Sequence, residues 1–289
     1  MNGEFGSIKE AHGGLEEVGY LADERTALVS YLAGKLAKPV LVEGPAGVGK
    51  TELAKAVAAA TGSELVRLQC YEGIDEARAL YEWDYRKQLL RLQVDRDAGE
   101  TGWDVERDHI FSEEFLLSRP LLTAIRQSEP TVLLVDETDK ADVEVEGLLL
   151  EVLSDFQVTV PELGTLVAAR RPFVVLTSNA TRELTEALKR RCLYLHLDYP
   201  DADRERAIVL EKVPEVAEQL AEQVVRTVRA LRAIELKKAP SIAETIDWAR
   251  TLVTLGLDTL DATAVRTTLG VVLKHASDAA RATTELKLN

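Results

Sequence analysis

An α/β core with a parallel sheet, followed by a small all-helical unit, is the fold the sequence predicts. Three observations predict it. The phrase Gly44-Pro45-Ala46-Gly47-Val48-Gly49-Lys50-Thr51 lies between an apolar run and a helix-forming run. Two more apolar runs end in polar, chemistry-bearing residues, Asp136-Glu137 and Ser178-Asn179. After Pro200 the strand-like runs stop and helical spacing of apolar residues takes over.

The first phrase fits G-x-x-x-x-G-K-[ST], the pattern of a P-loop that cradles nucleotide phosphates. Its context suits that reading: Pro39-Val40-Leu41-Val42 has the character of a buried parallel strand, and residues 52–60 are rich in helix formers. Glycines let backbone N–H groups approach the phosphates, and the dipole of the following helix adds attraction. In that cradle Lys50 is expected to reach the β- and γ-phosphates of ATP, and the Thr51 hydroxyl to ligate Mg²⁺.

Thr131-Val132-Leu133-Leu134-Val135 is the most strand-like run, and it delivers Asp136 and Glu137. Carboxylates at the carboxyl end of a parallel strand face the crevice where open α/β sheets bind ligands. Asp136 is expected in the Mg²⁺ shell and Glu137 as the group that polarises attacking water. The run at residues 172–177 closes with Ser178-Asn179, which places Asn179 either to orient water near the γ-phosphate or to serve as a turn or N-cap residue ahead of Thr181. Arg190 and Arg191 precede the apolar segment at residues 193–197. They suit a solvated helix C-terminus, or, in a ring, an arginine that reaches a neighbour's γ-phosphate.

Residues 203–213, 215–233, 241–255 and 262–275 read as helices, with Trp248 in their shared core. Residues 156–168 read as a hairpin around Pro161-Glu162-Leu163-Gly164. Residues 85–93 look helical, and residues 94–109 read as a charged, glycine-broken excursion around Trp103. Glu4-Phe5-Gly6-Ser7 has the look of a cloning linker, so residues 1–18 are set aside as a tail.

The chain has 289 residues and a net charge of −14, a balance that argues against a nucleic-acid motor, since phosphate backbones call for clustered Lys and Arg. Cys70 and Cys192 form no C-x-x-C pattern, and His12, His109, His196 and His275 show no ligand spacing. Neither a membrane span nor a signal-peptide h-region is visible, which predicts a cytoplasmic protein.

From about Gly19 to Ser241 the order and spelling of these motifs resemble a MoxR-type AAA+ ATPase. The similar stretches are Gly19-Tyr20-Leu21-Ala22-Asp23-Glu24, residues 41–55, Asp136-Glu137 with Lys140-Ala141, Thr177-Ser178-Asn179, and the arginines before Asp198-Tyr199-Pro200. Within that family, Gln69-Cys70-Tyr71-Glu72-Gly73 and Tyr81-Glu82-Trp83-Asp84-Tyr85 most resemble the CoxD-like branch, linked to assembly of the molybdenum and copper site of carbon monoxide dehydrogenase.

The resemblance implies an AAA+ core over 19–200 and a helical lid over 201–289. Lys50 and Thr51 match Walker A, Asp136 and Glu137 match Walker B, and Asn179 matches sensor 1. Arg191 matches the arginine finger, with Arg190 as its alternative, and the backbone at Tyr20 and Leu21 is expected to face adenine. Where the family has a Ser-Pro-Arg-like lid helix this chain has Pro240-Ser241-Ile242-Ala243-Glu244, leaving Arg250 as the candidate sensor 2 arginine. Implied partners are further copies in a ring, expected as a hexamer, a von Willebrand A-domain protein and a metalloenzyme client. In related machines hairpins like that at residues 156–168 project toward the ring pore or a partner, and an ordinary edge hairpin is the alternative. A nucleotide-switched scaffold with slow hydrolysis is the alternative from another class.

Overall fold

The computed structural model describes residues 3–98 and 110–286. Helices α1 (Ile8–Glu17) and α2 (Glu24–Leu36) lead into β1 (Val40–Glu43), α3 (Lys50–Thr61) and β2 (Glu64–Gln69). The insertion then carries α4 (Glu76–Ala79), β3 (Tyr81–Trp83), α5 (Tyr85–Ala98) and β4 (Leu116–Ser118). Next come α6 (Pro120–Arg126), β5 (Thr131–Asp136), α7 (Val143–Asp155), β6 (Gln157–Val160), β7 (Gly164–Val167) and β8 (Phe173–Ser178). The core closes with α8 (Glu186–Arg191) and β9 (Leu193–His196).

Five strands make one parallel sheet in the order β2-β5-β8-β1-β9. Its apolar runs are continuous because both faces are covered. Leu41, Leu133, Val135, Val174 and Leu176 pack to one side with α6 and α7, whereas Val40, Val42, Val132, Leu134 and Val175 pack to the other with α1, α2 and α3. Alternation along each strand thus feeds two separate cores. The order sets β5, β8 and β1 side by side, so the three sequence motifs emerge at one edge.

Residues 3–18 correct the expectation of a tail. Ser7 caps α1 through its side chain, and Phe5, Ala11 and Leu15 are buried in the core beside α3. The linker-like spelling hid a phenylalanine that packs. Strand β2 and the antiparallel pair β3–β4 were also not anticipated. The expected hairpin is present as β6 and β7, with Gly164 at φ 79° after the turn. Of the expected excursion at residues 94–109, the part from 99 onward lies outside the described residues.

Beyond Pro200 the chain forms α9 (Ala202–Lys212), α10 (Glu218–Arg232), α11 (Ile242–Thr254), α12 (Ala262–Val272) and α13 (Ala276–Glu285). The anticipated helix through His275 ends at Val272, because Leu273 turns extended and α13 starts anew after His275. These helices share a core of their own around Trp248, whose ring N–H donates to Thr268 Oγ1 at 2.7 Å. Ile242 at the start of α11 joins the sheet-side core instead, so the helical unit leans on the crevice.

Candidate nucleotide site

The loop between β1 and α3 closes tightly. A Cβ on Gly44 would lie 1.9 Å from the Leu197 carbonyl oxygen, and one on Gly47 (φ 72°) 2.4 Å from Ser241 Oγ. Only glycine fits at these two positions. The chain then enters α3, whose first N–H groups have no intrahelical carbonyl to bond and no side-chain cap, the usual setting for an anion. Lys50 is the first residue of α3 and is 6% exposed. Its Nζ donates to the carbonyls of Gly44 and Pro45, both at 2.7 Å, and to Asn179 Oδ1 at 2.8 Å. Burial depresses the Lys50 pKa, and the carboxylates of Asp139, Asp136 and Glu137 oppose that shift.

Facing this lysine, the end of β5 presents Asp136, whose carboxylate is nearly inaccessible. Its Oδ1 accepts from Thr51 Oγ1 at 2.9 Å and from Thr177 Oγ1 at 2.6 Å, while its Oδ2 pairs with Arg67 at 2.5 Å. Thr177 also accepts the backbone N–H of Glu137 at 2.9 Å, so one hydroxyl of β8 ties both acidic residues to the sheet edge. Glu137 adopts φ 56°, ψ 48°, a left-handed conformation that is unfavourable for a residue with a Cβ. Asp139 accepts from the amides of Asn179 and Thr181 and from the Thr181 hydroxyl. Burial alone would raise its pKa, but those hydrogen bonds outweigh it and hold the carboxyl below the usual range.

A cavity of about 400 Å³ runs from these groups toward the N-terminal segment, lined there by Gly19, Tyr20 and Leu21. Arg204 of α9 fastens that segment, donating to the Leu21 carbonyl at 2.8 Å and pairing with Asp23 at 3.1 Å. Burial pushes the Tyr20 phenol well above its usual pKa, with Arg204 pulling the other way. The oxygen donors Thr51 and Asp136 are hard ligands of the kind Mg²⁺ takes, and the P-loop offers the phosphate seat, so the residues present fit a magnesium nucleotide.

Lys50, Thr51, Asp136, Glu137 and Asn179 thus line one cavity with Ala46, Gly47, Val48, Gly49, Tyr20 and Leu21, while Gly44 and Pro45 reach it through their carbonyl bonds to Lys50. Arg190 and Arg191 do not join them. Both are exposed at the end of α8, where Arg191 donates to Ser154 Oγ at 2.6 Å and to the Ala187 carbonyl. Arg250 corrects an expectation. It lies eight residues beyond Ile242, about 12 Å along the helix axis, and donates to the Lys212 carbonyl at 3.3 Å outside the cavity. The helical unit instead contributes Arg204 and Lys212 to the lining. Sequence reading missed both, along with Arg67 and Asp139. Burial pushes the thiols of Cys70 and Cys192 up to about 12, which agrees with packing roles rather than nucleophilic ones.

A family model described as AAA domain (dynein-related subfamily) matches residues 39–192, just over half of the chain and the whole span from β1 to α8. The chain belongs to this AAA family. It is accordingly an AAA+ ATPase domain, and relatives agree. The chloroplast chaperone protein ClpC of Pisum sativum is 29% identical over 211 residues, 70% of this chain and 20% of that protein. Chaperone protein ClpB 2 of Thermosynechococcus vestitus is 33% identical over 150 residues, 51% of this chain and 14% of that protein. The AAA+ chain therefore spans about a fifth or less of the length of these chaperones. A Thermotoga maritima RuvB variant, T158V, shares the fold with a TM-score of 0.51 at 18% identity, covering 86% of this chain and 67% of that one. Among the described residues no helix is long and apolar enough to cross a membrane.

Proposed function

We propose that this AAA+ domain hydrolyses ATP with Mg²⁺ in an oligomeric ring and uses the turnover to remodel a client protein. The observation that carries the reading is that the Lys50–Asn179 hydrogen bond and the Thr51–Asp136–Thr177 hydrogen-bonded set line one cavity, with Glu137 tied to Thr177 beside them. Lys50 has its three donors on neutral oxygens and can transfer them to phosphate oxygens. Asn179, bonded to that lysine, then stands at the γ-phosphate end, where it orients water. Thr51 and Asp136 would hold Mg²⁺, which when bound neutralises charge on the β- and γ-oxygens. Glu137 lines the cavity one residue further on and takes the role of polarising the attacking water.

The exposed Arg191, with Arg190 as the alternative, serves in this reading as the finger for a neighbouring copy, since in its own chain it lies outside the cavity. AAA+ proteins typically form rings, and the names of the ClpC and ClpB relatives support a chaperone-like use of turnover. The finer reading is a MoxR-type machine of the CoxD-like branch, a hexamer that works with a von Willebrand A-domain partner to mature a metalloenzyme such as a molybdenum-copper carbon monoxide dehydrogenase. The resemblance around Gln69–Gly73 and Tyr81–Tyr85 supports it.

The test is phosphate release and ATP binding by Glu137→Gln and Arg191→Ala, separately and mixed. Glu137→Gln should retain ATP and lose at least about a hundredfold in rate. Arg191→Ala should also be inactive, and mixing the two should restore part of the activity. Persistent turnover in Glu137→Gln would remove Glu137 from its role.

A further inference from the structure

We propose that Arg67 is a positioning residue that holds the Asp136 carboxylate in the orientation needed to bind a divalent cation. The proposal rests on the reading of Asp136 as the cation ligand. It begins with the pleat of β2. Val66 and Leu68 pack into the core beside α6, so Arg67 and Gln69 project to the opposite face of the sheet, the side of α3. Strand β5 has the same parity: Val132 and Leu134 face α3, and Asp136 continues that row.

Register places Gln69 opposite Asp136 and Arg67 opposite Leu134. Arg67 is thus two residues short of the sheet edge on the right face, and its long side chain reaches forward to the carboxylate. One guanidinium nitrogen bonds both Gln69 Oε1 and Asp136 Oδ2.

Asp136 is thereby held on both oxygens. Two hydroxyls fix Oδ1 and Arg67 fixes Oδ2, and Arg67 is its ion-pair partner among the described residues. The pair is lopsided, because the Asp136 side chain is 4% exposed and that of Arg67 48%. An arginine half in water gains little by itself from a pair. The buried carboxylate, by contrast, depends on its partners for a defined direction. Groups that orient a metal-binding carboxylate from behind typically account for about 10–100-fold in metal affinity.

The experiment titrates Mn²⁺, read as free ion by electron paramagnetic resonance, into full-length protein with ADP. Wild type is compared with Arg67→Ala, Arg67→Lys and Asp136→Asn, and ADP affinity is measured separately in EDTA. Arg67→Ala should weaken Mn²⁺ binding about tenfold or more, Arg67→Lys should fall between it and wild type, and ADP affinity in EDTA should stay unchanged. Unchanged Mn²⁺ binding in Arg67→Ala, with Asp136→Asn impaired, would overturn the positioning role and leave the ligand assignment standing. Tighter binding in Arg67→Ala would also overturn it, by showing that the guanidinium competes with the cation. Wild-type Mn²⁺ binding in Asp136→Asn would remove the ligand assignment itself. If Arg67→Ala does not fold, Arg67→Lys carries the same comparison, since it keeps the charge but replaces the planar guanidinium, which fixes the donor's direction, with a freely rotating ammonium.

Discussion

Two cations shielded from solvent, Lys50 and Arg232, mark the difference between the crevice and the helical unit. Lys50 is buried with its hydrogen bonds on two carbonyls and one amide oxygen, all neutral. Arg232, half-buried, has both guanidinium ends on the fully buried Glu205 carboxylate at 2.7 Å, and its Nε on the Pro240 carbonyl. Thr245 adds a hydrogen bond to that carboxylate, and the Tyr199 ring lies 4.4 Å from the guanidinium. The second charge is answered within the protein. The first has only neutral oxygens as hydrogen-bond partners, the nearby carboxylates acting on it without bonding it, and its donors stay available to an anion. One site is built to bind, the other to hold helices α9, α10 and α11 and the preceding turn together.

That contrast can be broken by mutation. The largest effect should come from Glu205→Leu, which strands Arg232 and should cost about 3–5 kcal/mol, read from urea melts. A loss below about 1 kcal/mol would make the pair as dispensable as a surface bridge. Lys50→Met should do the opposite. Its stability should stay within about 1 kcal/mol of wild type, because no carboxylate loses its hydrogen-bonding partner, while ATP affinity falls beyond about a hundredfold. A Lys50→Met protein that unfolds would show that the lysine is structural.

Smaller effects sharpen the picture. Trp248→Phe should cost about 1–2 kcal/mol, since it removes the indole donor and leaves Thr268 Oγ1 without it in a dry core. The smallest effect concerns pH. The folded-state pKa of Asp139 lies below its unfolded value, so its contribution is present above the unfolded value of about 4 and lost as pH falls through the folded one. Asp139→Asn should therefore be less stable than wild type near neutrality and converge with it in acid. Parallel curves at all pH values would contradict the hydrogen-bond account.

The crevice was legible where its chemistry is contiguous or ends a strand. The P-loop is one phrase, and Asp136, Glu137 and Asn179 each come after an unbroken apolar run whose burial on both faces announces a central strand. Arg67 was illegible for the complementary reason. Its strand, Glu64-Leu65-Val66-Arg67-Leu68-Gln69, is at the sheet edge and mixes polar with apolar residues, so it carries no such run. Arg204 and Lys212 look like solvated helix residues until the fold brings α9 against Leu21. In the helical unit, periodicity sufficed for four helices, while the break at Leu273 and the helix α13 that follows it went unread. Arg250 failed because shared helix face does not guarantee reach: the P-loop meets the first turn of α11, through Ser241 at Gly47.

The central claim, an ATPase completed by a neighbouring copy, is tested most directly by native mass with and without ATP and Mg²⁺, recorded alongside phosphate release over a range of protein concentrations. The expected result is a nucleotide-dependent shift to a closed ring, with turnover per subunit rising as the ring forms. A monomer that hydrolyses ATP at the same rate per subunit at every concentration would contradict it.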